Sequence, residues 1–523
     1  MTWNGFKGLP NELLELVLLQ ADLQTIMRFK RVSRPFKRLV DHSTRLQLRI
    51  EQMVEGLEDG APGTMSAVQR LDAIRQRRKA WSTFRFTYRK YFYVPDGELH
   101  SFYGDHFAWT SDGSTKLNIL QVPSDIRCIP EKCWQVDLPE MKHLHDLAVD
   151  PDQDILLLIE EREDWVLHLL SLSSGEAHPR SQKPVLAVDG ITLIPALERS
   201  ELSVVVFQRY LICVASSDTR ERELLLFDWN TGDRLLHVVA KGPLSYAFLS
   251  EQYFMIGHDK KKSPFTLSII DTNTFKPTTS KVRVRDLNSC CKLNFPEKSG
   301  VFAAHEVTTD WGAPRPWQNH QYPVPYCSGE ERLFTVNVAY EEESWNEDFS
   351  LFVPLSTLMR CVKEAGTKPR VFEWEEWGPS GTHFLCSAEN ETRLEHYSSD
   401  SMWAVGFDMF PTSTTLSEKL MITLYDFAQL SNRRYVKELL DEVQATGQAI
   451  TAGLCAEHQY GASRIFKDQN IVSRFPARIF ERWVPLGNGR NESQLLYIVP
   501  AEDCLFMEFG VSALSHSHFF FVH

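Results

Sequence analysis

Ten cysteines and seventeen histidines give this chain the raw material for metal or nucleophilic chemistry, so their spacing is the first question. The cysteines stand at 128, 133, 213, 290, 291, 327, 361, 386, 455 and 504 and form no CxxC pair, so neither a zinc site nor a disulfide framework is readable from them. His143 and His145 are two apart, which on a strand places both on one face. With no third ligand near, they read as hairpin histidines. His516, His518 and His523 close the chain in HSHFFFVH and read as a last strand or a packed tail. No metal and no cofactor is expected.

Nucleophilic and phosphate chemistry fares no better. GxxxxGK[ST] is absent, as is GxGxxG after a strand, so no loop is built to cradle a phosphate. GPSG at 378–381 approaches a nucleophile elbow but lacks the GxSxG frame and the strand-to-helix setting. The acidic run Glu341 to Glu343 beside Trp345 reads as a solvated loop. No general acid, base and nucleophile assemble, and the chain is not expected to be an enzyme. Recognition chemistry is better represented. Residues 305–330 form a Pro-rich insertion carrying Trp311, Trp317, Tyr322 and Tyr326. Aromatic residues on a long loop over a rigid scaffold are typical contact residues, and these four are the candidates for capturing a protein target. The competing reading is that they close a gap between structural units.

The elements that must position such residues are bounded by the bulk numbers. A chain of 523 residues has room for two or three units. A formal net charge of −13 repels phosphate backbones and argues against nucleic acid as a partner. No apolar run approaches the roughly 18 to 20 residues of a membrane helix, so no membrane is expected. The first twenty residues carry acids within their apolar stretch and lack a small-residue cleavage site, so they do not read as a secretory signal. The expected compartment is the cytoplasm or nucleus, and the sequons at Asn390 and Asn491 are chance matches.

The first fifty residues predict three short helices. Pro10 suits a first helical turn, and Leu13, Leu14, Leu16, Val17, Leu18 and Leu19 then cover almost the whole circumference of one helix. Asp22 can cap a second helix carrying Leu23, Ile26, Met27 and Phe29. Ser33 can cap a third, with Pro35 in its first turn and Phe36, Leu39 and Val40 on one face. Helices this short cannot enclose so many large apolar side chains, so either a partner or the rest of the chain must cover them.

The segment LPNELLELVLLQADLQTIMRFKRVSRPFKRLV, residues 9–40, resembles the F-box: an LPxELL opening, a polar break with Asp, then VSRxFKxLV. The resemblance extends to about residue 46. It implies docking on a Skp-type adaptor, and through it on cullin and RING subunits. It also implies that Leu9, Pro10, Leu13, Leu16, Val17, Leu23, Ile26, Val32, Phe36 and Leu39 divide between that interface and internal packing. Which residue does which is not readable from the pattern.

Beyond this segment, Arg45–Met53 reads as a continuation packing under the helices and GLEDGAPG, 56–63, as a turn-rich break. Met65, Val68, Leu71, Ile74 and Trp81 then recur at helical spacing. From Tyr91 onward, short β-branched or aromatic runs alternate with turn signals. VLHLLSLSSGE, ELLLFDWNTGD and TLSIIDTNTFK share one frame: an apolar strand, a polar turn, then a Gly-like close. Intervals of about 35 to 60 residues suit four-strand blades and predict a degenerate β-propeller of six to eight blades, with paired β-sandwiches as the alternative. With EWGPSGTHFL and PARIFERWVPL, this order resembles a large fungal group of F-box proteins with propeller-like C-terminal regions.

The expected protein is therefore multidomain: a small all-α F-box over 1–50, a helical connector over 51–90, and an all-β target-recognition domain over 91–523. The resemblance implies a substrate receptor of an SCF-type ubiquitin ligase, acting on an unknown protein. The alternative is an interaction scaffold outside any ligase.

Overall fold

The N-terminal helices begin where side chains can satisfy their free backbone amides. In this computed structural model, α1 (Asn11–Leu19) starts after Pro10. Helix α2 (Leu23–Val32) is capped by Asp22, whose carboxylate accepts from the Thr25 amide at 2.6 Å. Ser33 caps α3 (Arg34–His42), and Ser43 caps α4 (Thr44–Glu55) through the Leu46 amide at 3.2 Å. Helix α4 ends on Gly56, whose φ of +67° suits a residue without a Cβ. Three helices were expected before residue 50. A fourth is present, and it runs past that boundary, because Leu46, Ile50 and Val54 complete the core that Leu18, Ile26 and Val40 begin. The predicted connector helix is α5 (Ala67–Thr83).

The structure describes residues 9–522 except 61–62, 84–88, 95–97, 142, 192–200, 217–220, 261–262, 301–303, 305, 312–322, 343–344, 388–397, 401, 409–418, 429–451, 456–457, 461–464, 468–470, 486–494, 501–504 and 510–516. Among the described residues, seven sheets follow the helices, each built on four antiparallel strands, and three of them carry a fifth strand. Six lie in chain order over 100–137, 144–187, 201–241, 244–294, 306–387 and 398–485. The seventh joins Leu495–Pro500, Leu505–Phe509 and Ser517–Val522 to Arg89–Val94. The strand preceding the first sheet thus completes the last one, with Arg89 opposite Val522 and Val94 opposite Ser517. This is the topology of a seven-bladed β-propeller closed by its own two ends.

Packing explains the sequence pattern. In the β region the apolar clusters sit between consecutive sheets, so inner strands are covered on both faces. Ile155, Leu157 and Ile159 pack toward the third sheet, while Leu156 and Leu158 pack toward the first. The three repeated sequence frames are the third strands of sheets two, three and four: Trp165–Ser171, Glu221–Asp228 and Ser263–Asp271. Gly232 closes one of the turns at φ +74°, and a Cβ there would stand 2.8 Å from Leu186 and Lys183 carbons. The fifth sheet departs from the frame: α6 (Leu355–Ala365) and α7 (Trp374–Gly381) intervene between its third and fourth strands. GPSG belongs to α7, where Gly378 lets the chain pass against the Trp374 ring.

Candidate functional site

Two surfaces of the helical segment differ in how far they are satisfied. On α1, the residues facing inward are Leu14 and Leu18, while Leu13, Leu16 and Val17 lie exposed beside Leu9 and Pro10. Val32, at the end of α2, is 68% exposed. Of the predicted docking residues, Leu23, Phe36 and Leu39 are half-buried, and Ile26 is fully buried. Phe36 stacks on Phe29 with ring centroids 4.1 Å apart. Ile26 therefore belongs to the internal core. Met27, exposed on α2, was not among the predicted docking residues, although its spacing of four from Leu23 is the signal that would have found it.

Nine large apolar side chains are exposed among the described residues, and six of them fall between Leu9 and Val32. One or two scattered over a surface need no explanation, but this concentration in two short helices does. Each such side chain contributes about 1.5–3 kcal/mol when a partner removes it from water.

The opposite surface, where α4 and α5 meet the β region, is closed. Leu57–Asp59 pairs with Tyr326–Ser328 as a two-stranded sheet. Arg70 donates to the Pro325 carbonyl at 3.0 Å and to the Asp59 carboxylate at 2.5 Å. Leu48, Leu57, Leu71 and Ile74 enclose the Tyr326 ring, and the Arg77 guanidinium lies 5.8 Å from its centre. Trp81 stacks on Trp403 of the sixth sheet at 5.9 Å.

Charges are also buried at this junction. Arg78 lies 2.9 Å from Glu51 and 4.0 Å from Glu55, and Arg478 lies 2.5 Å from Asp426. Burial pushes the Glu55 carboxyl up to about 7; the Asp426 charge adds to this, and Arg78, Arg77 and Arg478 oppose it. Burial also raises the Asp426 carboxyl, against the pull of Arg478.

Of the four aromatic candidates for target capture, Tyr326 alone has its side chain among those the structure describes. Trp311 ends the strand Glu306–Trp311, and Trp317 and Tyr322 lie outside the described residues. Tyr326 was expected in an exposed loop. It is instead fully buried under α5, and a ring enclosed in this way has no surface to offer a target. The His145 ring packs edge-on against Trp165 at 4.7 Å. Among the described residues, no three of His, Cys, Asp and Glu converge as metal ligands, and no helix is long and apolar enough to cross a membrane.

Comparison with known proteins gives one family match: residues 6–48 fit the F-box domain. No curated protein matches the chain. Solved structures similar to it include the WD40 domain of SCAP from fission yeast, at 9% identity over 89% of this chain and 97% of that one, with a TM-score of 0.32. The WD40 domain of Toxoplasma gondii coronin is 10% identical over 80% of this chain and 92% of its own, with a TM-score of 0.31. Raptor from Chaetomium thermophilum is 9% identical over 98% of this chain and 40% of its own, with a TM-score of 0.29. At these TM-scores the likenesses have no bearing on function.

Proposed function

We propose that this chain, an F-box domain followed by a seven-sheet β region, is the substrate receptor of an SCF-type ubiquitin ligase. In this reading residues 1–50 dock on a Skp-type adaptor, 51–90 connect, and 91–523 hold a protein target. The adaptor joins the receptor to cullin and RING subunits. The chain supplies binding and position only: it raises the effective concentration of the target beside a charged conjugating enzyme, which performs the chemistry. Trp311, with Trp317 and Tyr322, remains our candidate set for meeting the target.

The observation that carries the reading is the exposed apolar ridge of Leu9, Leu13, Leu16, Val17 and Val32 within the F-box match. Such a ridge needs a cover, and covering it is the work of an adaptor. The test is binding of purified adaptor to the intact protein and to Leu13→Glu/Leu16→Glu, with circular dichroism confirming that both are folded. Binding that is micromolar or tighter and weakened by about a hundredfold or more in the variant is expected. Equal affinity for both proteins, or no binding by the folded wild type, removes the reading.

A further inference from the structure

The F-box helices also carry a polar feature that the apolar ridge does not use. A cavity of about 520 Å³ opens between α2 and α3, lined by Met27, Lys30, Arg31, Ser33, Arg34 and Lys37. Four of these six side chains are cationic. Only Lys30 has a carboxylate partner, Asp41 at 2.5 Å; Arg31, Arg34 and Lys37 form no ion pair among the described residues. Ser33 is spent on the amide of Phe36. The local sequence is equally one-sided: six cations and no acid fall between Asp22 and Asp41, in a chain whose formal charge is −13.

A concentration of like charge around a groove raises its potential and is unfavourable until a counter-charge arrives. The groove is not a bare cationic face, however. Met27 lines it, and the methylene stems of Lys and Arg add apolar wall. An occupant that fits must offer carboxylates and apolar contact together, which is the chemistry of an acidic peptide segment and not of a phosphate backbone. Met27 is itself exposed, and exposed Val32 stands in the chain between Arg31 and Ser33, which line the groove, so the groove borders the exposed apolar set.

We infer that this groove is the electrostatic half of the adaptor interface and seats an acidic segment of the adaptor, an inference that rests on the receptor reading above. The apolar ridge supplies the buried area. The cations guide approach and fix which way the adaptor lies, as charges at the rim of an interface do.

The experiment measures the adaptor Kd at several salt concentrations for the wild type, Arg31→Glu/Arg34→Glu and Arg31→Lys/Arg34→Lys. The melting temperature of each confirms that these exposed changes leave the fold intact. Charge reversal is expected to weaken binding by about tenfold or more at low salt and to flatten the slope of log Kd against log salt. The lysine variant is expected to keep both. An unchanged Kd and slope under charge reversal, with the wild type binding, overturns the groove inference and leaves the receptor reading standing. Failure of the wild type to bind removes both. If the reversal abolishes binding of a single-stranded RNA oligonucleotide while adaptor binding is untouched, the groove serves a polyanion and the inference is also overturned.

Discussion

The outer face of α1–α3 and the inner face of α4–α5 lie on one stretch of helices, yet they meet their surroundings in opposite ways. Outside, Leu13, Leu16, Val17 and Val32 are exposed and the cations of the groove go largely unpaired. Inside, Arg77, Glu51 and Glu55 are buried, and a tryptophan pair closes the edge. The ordinary rule of apolar in and charged out is broken in part on both faces, by buried charges on the inner one and exposed large apolar side chains on the outer one. At the inner face the break is compensated within the chain, by Arg78, Asp426 and Arg478. At the outer face Lys30 alone of the groove cations has a carboxylate partner among the described residues, and the exposed apolar side chains are the surface our proposal assigns to an adaptor.

The largest expected effect tests the inner face. Arg478→Ala leaves Asp426 buried without its 2.5 Å partner and should destabilise the protein by about 3–5 kcal/mol, read from urea unfolding. Replacing the pair by apolar residues, Asp426→Leu/Arg478→Met, should cost less than the single change. A loss below about 1 kcal/mol for Arg478→Ala would mean the junction charges remain hydrated, and the contrast between the faces would collapse.

Two leucines on α1 put the same contrast within one helix. Leu18→Ala empties part of the helical core and should cost about 2–5 kcal/mol. Leu16→Ala should change stability by no more than about 0.5 kcal/mol. For adaptor affinity the ranking should reverse at matched folding, with Leu16→Ala losing about tenfold, or ~1.4 kcal/mol. An adaptor Kd indifferent to Leu16 would take α1 out of the interface.

The pH response comes next. The folded state holds the Glu55 proton to about pH 7, while the ordinary value is 4.5. Across that window the unfolded chain binds fewer protons, so the contribution of this group is fully present below about pH 4.5 and lost by about pH 7. The full swing is about 3 kcal/mol at most. Glu55→Gln should flatten the dependence of melting temperature on pH between 5 and 8. A wild type and variant with parallel profiles would show that Glu55 titrates as an exposed carboxyl.

How much of this was legible in the sequence follows from range. Caps are local, and Asp22 and Ser33 marked the starts of α2 and α3 correctly. The split between Leu16 and Leu18 was hidden, because α1 is apolar almost all round and the core that takes Leu18 is completed by residues of α2, α3 and α4. In the β region, the polar turns after Ser171, Asp228 and Asp271 marked the ends of three strands, which the structure places third in their sheets. The number of sheets was hidden because strands such as Ile155–Glu161, covered on both faces, lose the alternation that marks a strand. Tyr326 was misplaced for the most distant reason: its strand partner is Asp59, far earlier in the chain. A Pro-rich, aromatic stretch reads as a loop until that pairing is seen.

The smallest effect falls on the seam between the two faces. Ser43 caps α4 through the Leu46 amide and donates to Glu15 on α1 at 2.9 Å. Ser43→Ala removes both bonds and should cost about 1 kcal/mol in urea unfolding. Ser43→Asp keeps a capping oxygen but sets a second carboxylate against Glu15, so it should recover little of the loss. If the faces are independent, neither change moves the adaptor Kd by more than about twofold, since distant sites add. A tenfold change in Kd from either variant would mean that the tilt of α1 on α4 sets the shape of the docking ridge. The outer face would then be unfinished in its electrostatics but prepared in its geometry by the inner one.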